Sequence, residues 1–252
     1  MFRPPLLRFL ISFIFALTSP TASTAAPINN PAEKLEYAGM TEEFPPFNFA
    51  EKDKVVGYST DVMQLIFKKA KLKTSFTLWP WLRAYNAAKD QPGHYVFSTS
   101  RSEEREKLFK WVGPIAKDSV YLMVLKDSPI KETTDFKTLK KYSLSGQAGD
   151  QPVVFLQGHG FDVLITAEEN VRMKMLKEKK MEMDIMTTGS QEIYEKTWAI
   201  KYRRVAFLYD TEYWAAFNRN TPDEVIQKLN KAVSELKGDG TLEKIADKYR
   251  AK

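Results

Sequence analysis

From about residue 35 onward the chain is built of short apolar runs whose spacing switches repeatedly between a period of two and a period of 3.6. Period-two or continuous apolar runs predict strands at residues 35–38, 75–78, 94–98, 120–125, 142–145, 183–187, 205–209 and 214–218. Between them, helical spacing predicts helices over 61–71, 81–90, 103–109, 136–140, 152–157, 168–179 and 191–202. In the first of these, Val62, Leu65, Ile66 and Lys69 share a stripe and Thr60 is placed to cap it. Two closing helices follow, 222–236 with a proline in its first turn and 242–249 after the Gly238-Asp239-Gly240 break. Such alternation predicts an α/β protein with mostly parallel sheets, and by itself admits a single doubly wound sheet.

The amino terminus has a different pattern. Arg3 and Arg8 precede an apolar run over 9–17 too short to span a bilayer, and 18–26 is small and polar with Ser23 and Ala25 at cleavage spacing. This reads as a secretory signal peptide over 1–25, cut after Ala25 because a later cut would place Pro27 directly beyond the scissile bond. The same run could instead remain as an uncleaved anchor. A soluble, exported, periplasmic product is the expectation, with residues 27–33 as a flexible leader.

Composition narrows the chemistry. The chain has no cysteine, which excludes disulfides and thiol catalysis, and the roughly 225 residues left after cleavage can bury a core by packing alone. Net charge falls from +6 to +4 once Arg3 and Arg8 are removed, and acids and bases interleave, as over 174–182, so no nucleic-acid partner is expected. His94 and His159 are the only histidines and neither has metal-ligand spacing, nor does a phosphate-cradling glycine loop or nucleophile elbow occur. No metal or cofactor is expected.

The most informative stretch runs from Val96 to Pro114. The apolar end of a predicted strand leads into Ser98-Thr99-Ser100, and Arg105 follows at the start of a helix. Hydroxyls and free N–H groups at a strand-to-helix junction donate to anions, and an arginine fork can close on both oxygens of a carboxylate. A plainer reading makes Ser102 a helix cap with Glu103 and Glu104 favourable in the first turn. Arg101 fits a surface pair with Glu104 or Glu106 equally well.

This stretch resembles the ligand-binding segment of bacterial periplasmic solute-binding proteins of the amino-acid type, family 3. Three further matches lie in the right order. They are the loop Glu43-Phe44-Pro45-Pro46-Phe47 with Gly57-Tyr58 after it, the segment Asn220-Thr221-Pro222-Asp223-Glu224, and the closing Lys237-Gly238-Asp239-Gly240-Thr241-Leu242. The Trp111-Val112-Gly113-Pro114 tail resembles a divergent branch of the family. The resemblance implies a two-lobed type II periplasmic binding protein fold, with lobe 1 from 26–117 and 213–252, lobe 2 from 118–212, and a ligand cleft between them. It implies a monomer that captures a small-molecule carboxylate, an amino acid or related organic acid, for an inner-membrane ABC-type permease. A dehydratase-like enzyme on the same fold and a sensory ligand-binding module are the alternatives.

By that resemblance Ser98, Ser100 and Arg105 hold the carboxylate, and Phe44, Trp79 and Trp81 border the first lobe's face of the cleft, while Arg83, in the first turn of the next helix, could reach the same mouth or snorkel along the surface. Pro80 breaks the strand between the two tryptophans, so at least one indole is expected to project at the mouth. The second lobe departs from the family pattern. Gly149 is followed by Asp150 where a threonine or serine is usual, and Gly189 stands where an acid takes the ligand's ammonium. Asp150, Glu43 or Glu192 could substitute for that acid, and Asp150 could equally be a helix cap. The missing acid favours a ligand less cationic than a typical amino acid. Asp184 is expected to hold its loop rather than the ligand.

Overall fold

The computed structural model describes residues 36–166 and 169–250. The signal peptide expected over 1–25 lies outside them. In chain order the elements are β1 (Glu36–Thr41), β2 (Phe49–Glu51), β3 (Lys54–Val56), α1 (Tyr58–Ala70), β4 (Lys73–Leu78), α2 (Trp81–Asp90), β5 (His94–Ser100) and α3 (Glu103–Glu106). Then come β6 (Phe109–Leu125), a 3₁₀ turn, β7 (Leu144–Gln147), α4 (Gln151–Gly158), β8 (Leu164–Thr166), α5 (Glu169–Lys177), β9 (Met183–Thr187) and α6 (Thr188–Trp198). The chain closes with β10 (Tyr202–Asn218), α7 (Asp223–Gly238) and α8 (Thr241–Arg250).

Eight strands form one sheet in the order β4-β1-β5-β10-β6-β9-β7-β8. The outer trios β4-β1-β5 and β9-β7-β8 are parallel. They are joined by β6 and β10, two 17-residue strands paired antiparallel from Tyr202 opposite Leu125 to Asn218 opposite Phe109. The expectation of mostly parallel pairing therefore holds in each trio and fails in the middle. The sequence also splits β10 into two strands, because the polar run Asp210-Thr211-Glu212 reads as a break, but ladder bonds to β6 carry the backbone across it.

Each trio carries helices on both faces, which satisfies the near-continuous apolar character of parallel strands. At one end Tyr95 stacks between Phe67 and Phe217, with centroids 5.4 and 4.4 Å away, under α1, α7 and α8. On the opposite face α2 lays Trp81, Ala84 and Ala88 on Met40, Val96 and Ala216. At the other end Leu122, Val124, Leu144, Leu156 and Met183 form a second core. Met173, Leu176, Tyr194 and Tyr202 close its far side.

Helix α1 differs from its expected stripe. It starts at Tyr58 after Gly57, and Thr60 lies inside it, its hydroxyl donating to Val56 O at 3.2 Å. Its buried face includes Met63 and Phe67, whereas Lys69 turns out to Glu235 at 3.3 Å. The β2–β3 hairpin was not legible, since Lys52 and Asp53 take positive φ values of 49° and 61° in a turn that normally selects Asn-Gly or Asp-Gly. No helix among the described residues is long and apolar enough to cross a membrane. No three histidine or acidic residues among them gather closely enough to hold a metal.

Candidate ligand cleft

The first wall of the cleft is the end of β5. Opposite β10, Thr99 pairs with Trp214 but Val96 pairs with Ala216, so β5 carries one residue more than its partner over that step. The extra residue makes a bulge, and Ser98 takes up the irregularity with φ of 58°, an uncommon conformation for a residue other than glycine. Its hydroxyl donates to Asn48 Oδ1, and Ser98 and Ser100 both line a cavity of about 70 Å³ between the two ends of the molecule. That is room for about five waters or the polar end of a small solute.

Arg105, on the single turn of α3, enters this cavity with 6 % of its surface exposed. Its Nη1 donates to Ser100 O at 3.1 Å and its Nη2 crosses to Gly149 O at 2.9 Å. The guanidinium also lies over the Trp81 and Tyr85 rings, at 5.4 and 5.3 Å from their centroids. Trp81 Nε1 donates to the same Gly149 oxygen at 3.3 Å, so one carbonyl receives two donors from across the cleft. Gly149 sits at φ of 74°, and a Cβ there would come within 2.6 Å of Leu82 Cδ2. The positive φ favours glycine here, and a larger residue would also have to displace the Leu82 side chain of α2.

Four carboxylates line the cavity, two from each lobe. Asp150 caps α4, its Oδ1 accepting from Gln151 N at 2.8 Å, and it also lines the cavity. Burial raises its pKa, with Arg105 pulling the other way. Glu169, at the start of α5, accepts from Tyr194 Oη at 2.5 Å and is likewise raised, chiefly by burial. Glu42 comes from the other lobe, after β1, and accepts from Gln147 Nε2 at 2.5 Å. Burial, reinforced by the charge of Asp150, pushes its carboxyl up to about 8. Glu43 also lines the cavity, steadied by Ala50 N at 3.0 Å.

Deeper in the second lobe Arg172 and Asp184 form an ion pair, Nε to Oδ1 2.7 Å, with side chains 9 % and 0 % exposed. The donor is out of line for a hydrogen bond, so charge proximity holds the pair. Asp184 thus ties β9 to α5, the helix before it, rather than holding the loop after its own strand, while Arg172 reaches the cavity.

Of the residues singled out from sequence, Ser98, Ser100, Arg105, Phe44, Trp81 and Asp150 meet at the cavity. Trp79 and Arg83 do not line it. Pro80 precedes the first residue of α2, and the helical period puts Arg83 some 200° from the inward-facing Trp81, so the Arg83 guanidinium lies on the Trp79 ring at 4.1 Å outside the cleft. Arg101 pairs with Glu106 at 2.6 Å. Glu192 is exposed and pairs with Lys196 at 2.9 Å, which removes it as a substitute acid. His94 bonds only locally, to Pro92 O, and His159 bonds to Phe155 O and packs against the Phe136 and Phe155 rings, away from the cavity. Glu42, Gln147, Glu169, Arg172 and Tyr194 were missed. A signal existed for Glu42, which sits in a double acid just before the aromatic-proline loop; the others come from remote segments with no local pattern.

Gly189 explains its own departure from the family pattern. Its N–H donates to both oxygens of Asp118 at 3.2 and 3.1 Å, and a Cβ would meet Asp118 Oδ2 at 2.9 Å and Phe47 Cζ at 3.1 Å. An acid from β6 already occupies the start of α6, and Phe47 of the first lobe packs against it. Installing the expected acid, Gly189→Asp, should therefore weaken solute binding by about tenfold or more and leave the protein more extended in solution scattering, because the lobes would no longer meet. Tighter binding by that variant would contradict this account. The missing acid had favoured a less cationic ligand. With four carboxylates at the cavity, that inference loses its basis.

Comparison with known proteins gives the family and the fold. The family model for bacterial extracellular solute-binding proteins, family 3, matches residues 37–252. A probable histidine-binding protein of Neisseria gonorrhoeae is 26 % identical over 235 residues, covering 90 % of this chain and 87 % of that protein. The L-cystine-binding protein TcyA of Bacillus subtilis is 24 % identical, covering 84 % and 79 %. The solved arginine-, lysine-, histidine-binding protein ArtJ of Geobacillus stearothermophilus superposes with a TM-score of 0.76 at 18 % identity, over 86 % of this chain and 96 % of that one, and so shares the two-lobed fold. These are binding proteins and not enzymes, which sets the dehydratase alternative aside. With a cleft walled by both lobes and a match over nearly all its length, the chain belongs to the family 3 bacterial extracellular solute-binding proteins.

Proposed function

We propose that the mature protein, freed of residues 1–25, captures an amino acid or related small carboxylate in the periplasm and delivers it, as a monomer, to an ABC-type permease of the inner membrane. The solute's carboxylate binds at Ser98, Ser100 and Arg105, under the rings of Phe44 and Trp81. Residues 26–117 and 213–252 move as one lobe and 118–212 as the other, bending where β6 and β10 cross between them.

The observation that carries this reading is Arg105. A nearly buried guanidinium projects from one lobe into a cavity and donates, on the far side, to a backbone carbonyl and not to a carboxylate. A solute carboxylate in that place would offer a charged, two-oxygen acceptor to the same fork. Names of the relatives, which include histidine- and L-cystine-binding proteins, support an amino acid as the class.

A thermal-shift screen of the protein lacking residues 1–25, against the common L-amino acids and small organic acids, tests it. A ligand at 100 times its Kd should add about 2.7 kcal/mol of stability and raise Tm by several degrees. If no compound of either group shifts the melt, the amino-acid reading is wrong.

A further inference from the structure

We propose that the cleft selects a solute carrying net positive charge, and that Glu42, Asp150 and Glu169 take its cation in exchange for a proton released to solvent. The proposal rests on the amino-acid reading above and adds to it the charge class and the residues that set it.

The argument starts from the charges that face one another. From the first lobe come Glu42, Glu43 and Arg105, with the hydroxyl of Tyr213. From the second come Asp150 on α4 and Glu169 and Arg172 on α5. Tyr194 on α6 and Tyr209 on β10 complete the wall. Asp184 on β9 lies behind Arg172 and neutralises it. Among the described residues, Glu42, Glu43, Asp150 and Glu169 make no ion pair with a lysine or arginine. Arg105 is thus the one cation at the cavity without an acidic ion-pair partner, set against four carboxyl groups that would carry a negative surplus once ionised. A zwitterion would add no net charge to that surplus, whereas a solute with a second positive group would.

Hydrogen bonding within the cleft indicates where the cation goes. Glu42 and Glu169 each accept from a neutral donor, Gln147 and Tyr194, so each keeps one oxygen free of a side-chain partner. The buried Tyr209 hydroxyl has no hydrogen-bond partner among the described residues and stands near enough to Asp150 to be affected by its charge. An ammonium or guanidinium with several N–H donors would satisfy these acceptors together. Without one, burial raises the carboxyls of Glu42, Asp150 and Glu169, and Glu42, where the charge of Asp150 adds to burial, holds its proton up to about pH 8. Loading is then an exchange: a neutral carboxyl and a cationic solute give a carboxylate–cation pair and a free proton.

The sign of the pH dependence follows. Because a proton leaves on binding, affinity for a cationic solute should rise as pH rises from 6 to 8, by up to tenfold per unit for one proton. Isothermal titration of the mature protein with L-arginine, L-lysine, L-histidine, L-glutamine and L-glutamate, each in phosphate and in Tris at pH 7, reads both claims. A cationic amino acid should bind at least tenfold more tightly than L-glutamine, with about one proton released, seen as a difference in heat between the buffers. Glu42→Gln should at least halve that release, and Glu169→Gln provides the second variant should the first not fold. Tightest binding by L-glutamine or L-glutamate, or binding of a basic amino acid with no proton exchange, overturns the proposal and leaves the amino-acid reading intact. No binding by any of the five overturns it too; the thermal-shift screen then shows whether the amino-acid reading falls with it.

Discussion

Replacing Arg105 by alanine should weaken binding of the best amino acid from the thermal-shift screen by at least tenfold and up to about a hundredfold, the range expected for losing a charge-assisted hydrogen-bonded contact. The same change should also lower stability, by about 1–3 kcal/mol, which the sequence alone did not suggest. As a cleft arginine it reads as a surface group carrying little of the core. In the fold it is 6 % exposed, packed on two aromatic rings and bonded to two carbonyls, so alanine removes packing as well as charge. Titration calorimetry and a melt of the solute-free variant separate the two effects. Arg105→Lys should restore part of the stability but less of the affinity, because an ammonium cannot fork to two oxygens. Unchanged affinity in Arg105→Ala would remove the carboxylate assignment.

Asp184→Ala is expected to be the more damaging change to the fold. It leaves the Arg172 guanidinium buried without the carboxylate 2.7 Å from its Nε, and breaking one side of a buried pair costs about 3–5 kcal/mol. For a domain of this size that is a fall in Tm of roughly 6–20 °C. Glu169 is near enough to Arg172 to offset some of the loss, so the variant should fold at low temperature. Arg172→Met combined with Asp184→Leu removes both charges and should recover more than half of the deficit, since the pair's value lies largely in the penalty for separating it. A melt of Asp184→Ala within 2 °C of the parent would show that the pair is not what ties α5 to β9.

How far the sequence reaches depends on whether the information is local. Ser98, Ser100 and Arg105 lie within eight residues, so their order reveals a strand end, a hydroxyl pair and an arginine together. The bulge that turns Ser98 toward the cleft depends on register with β10, more than a hundred residues away, and no local pattern encodes it. The acid set is non-local for the same reason: Glu42 follows β1, Asp150 precedes α4 and Glu169 opens α5. Trp79 and Arg83 lie in the right segment yet outside the cleft, because helical phase after Pro80 decides which side chain turns inward. Gly189 reads as a lost acid, and only the neighbouring Asp118 and Phe47 show that a side chain has no room there.

The two 17-residue strands that join the halves of the sheet have a mechanical consequence. A loop hinge is slack and lets the parts it links wander, whereas paired strands resist stretching and shear and yield mainly to bending and twist. Ladder bonds between β6 and β10 continue through the crossing, interrupted only by shifts of register near Arg204, Phe207 and Tyr213. The connection is therefore a leaf spring with few soft points, and its stiffness confines the halves to one arc of approach. In the closure proposed above, Arg105, Trp81 and Glu42 would then meet Gly149 and Gln147 in the same register each time, without the solute having to align the jaws.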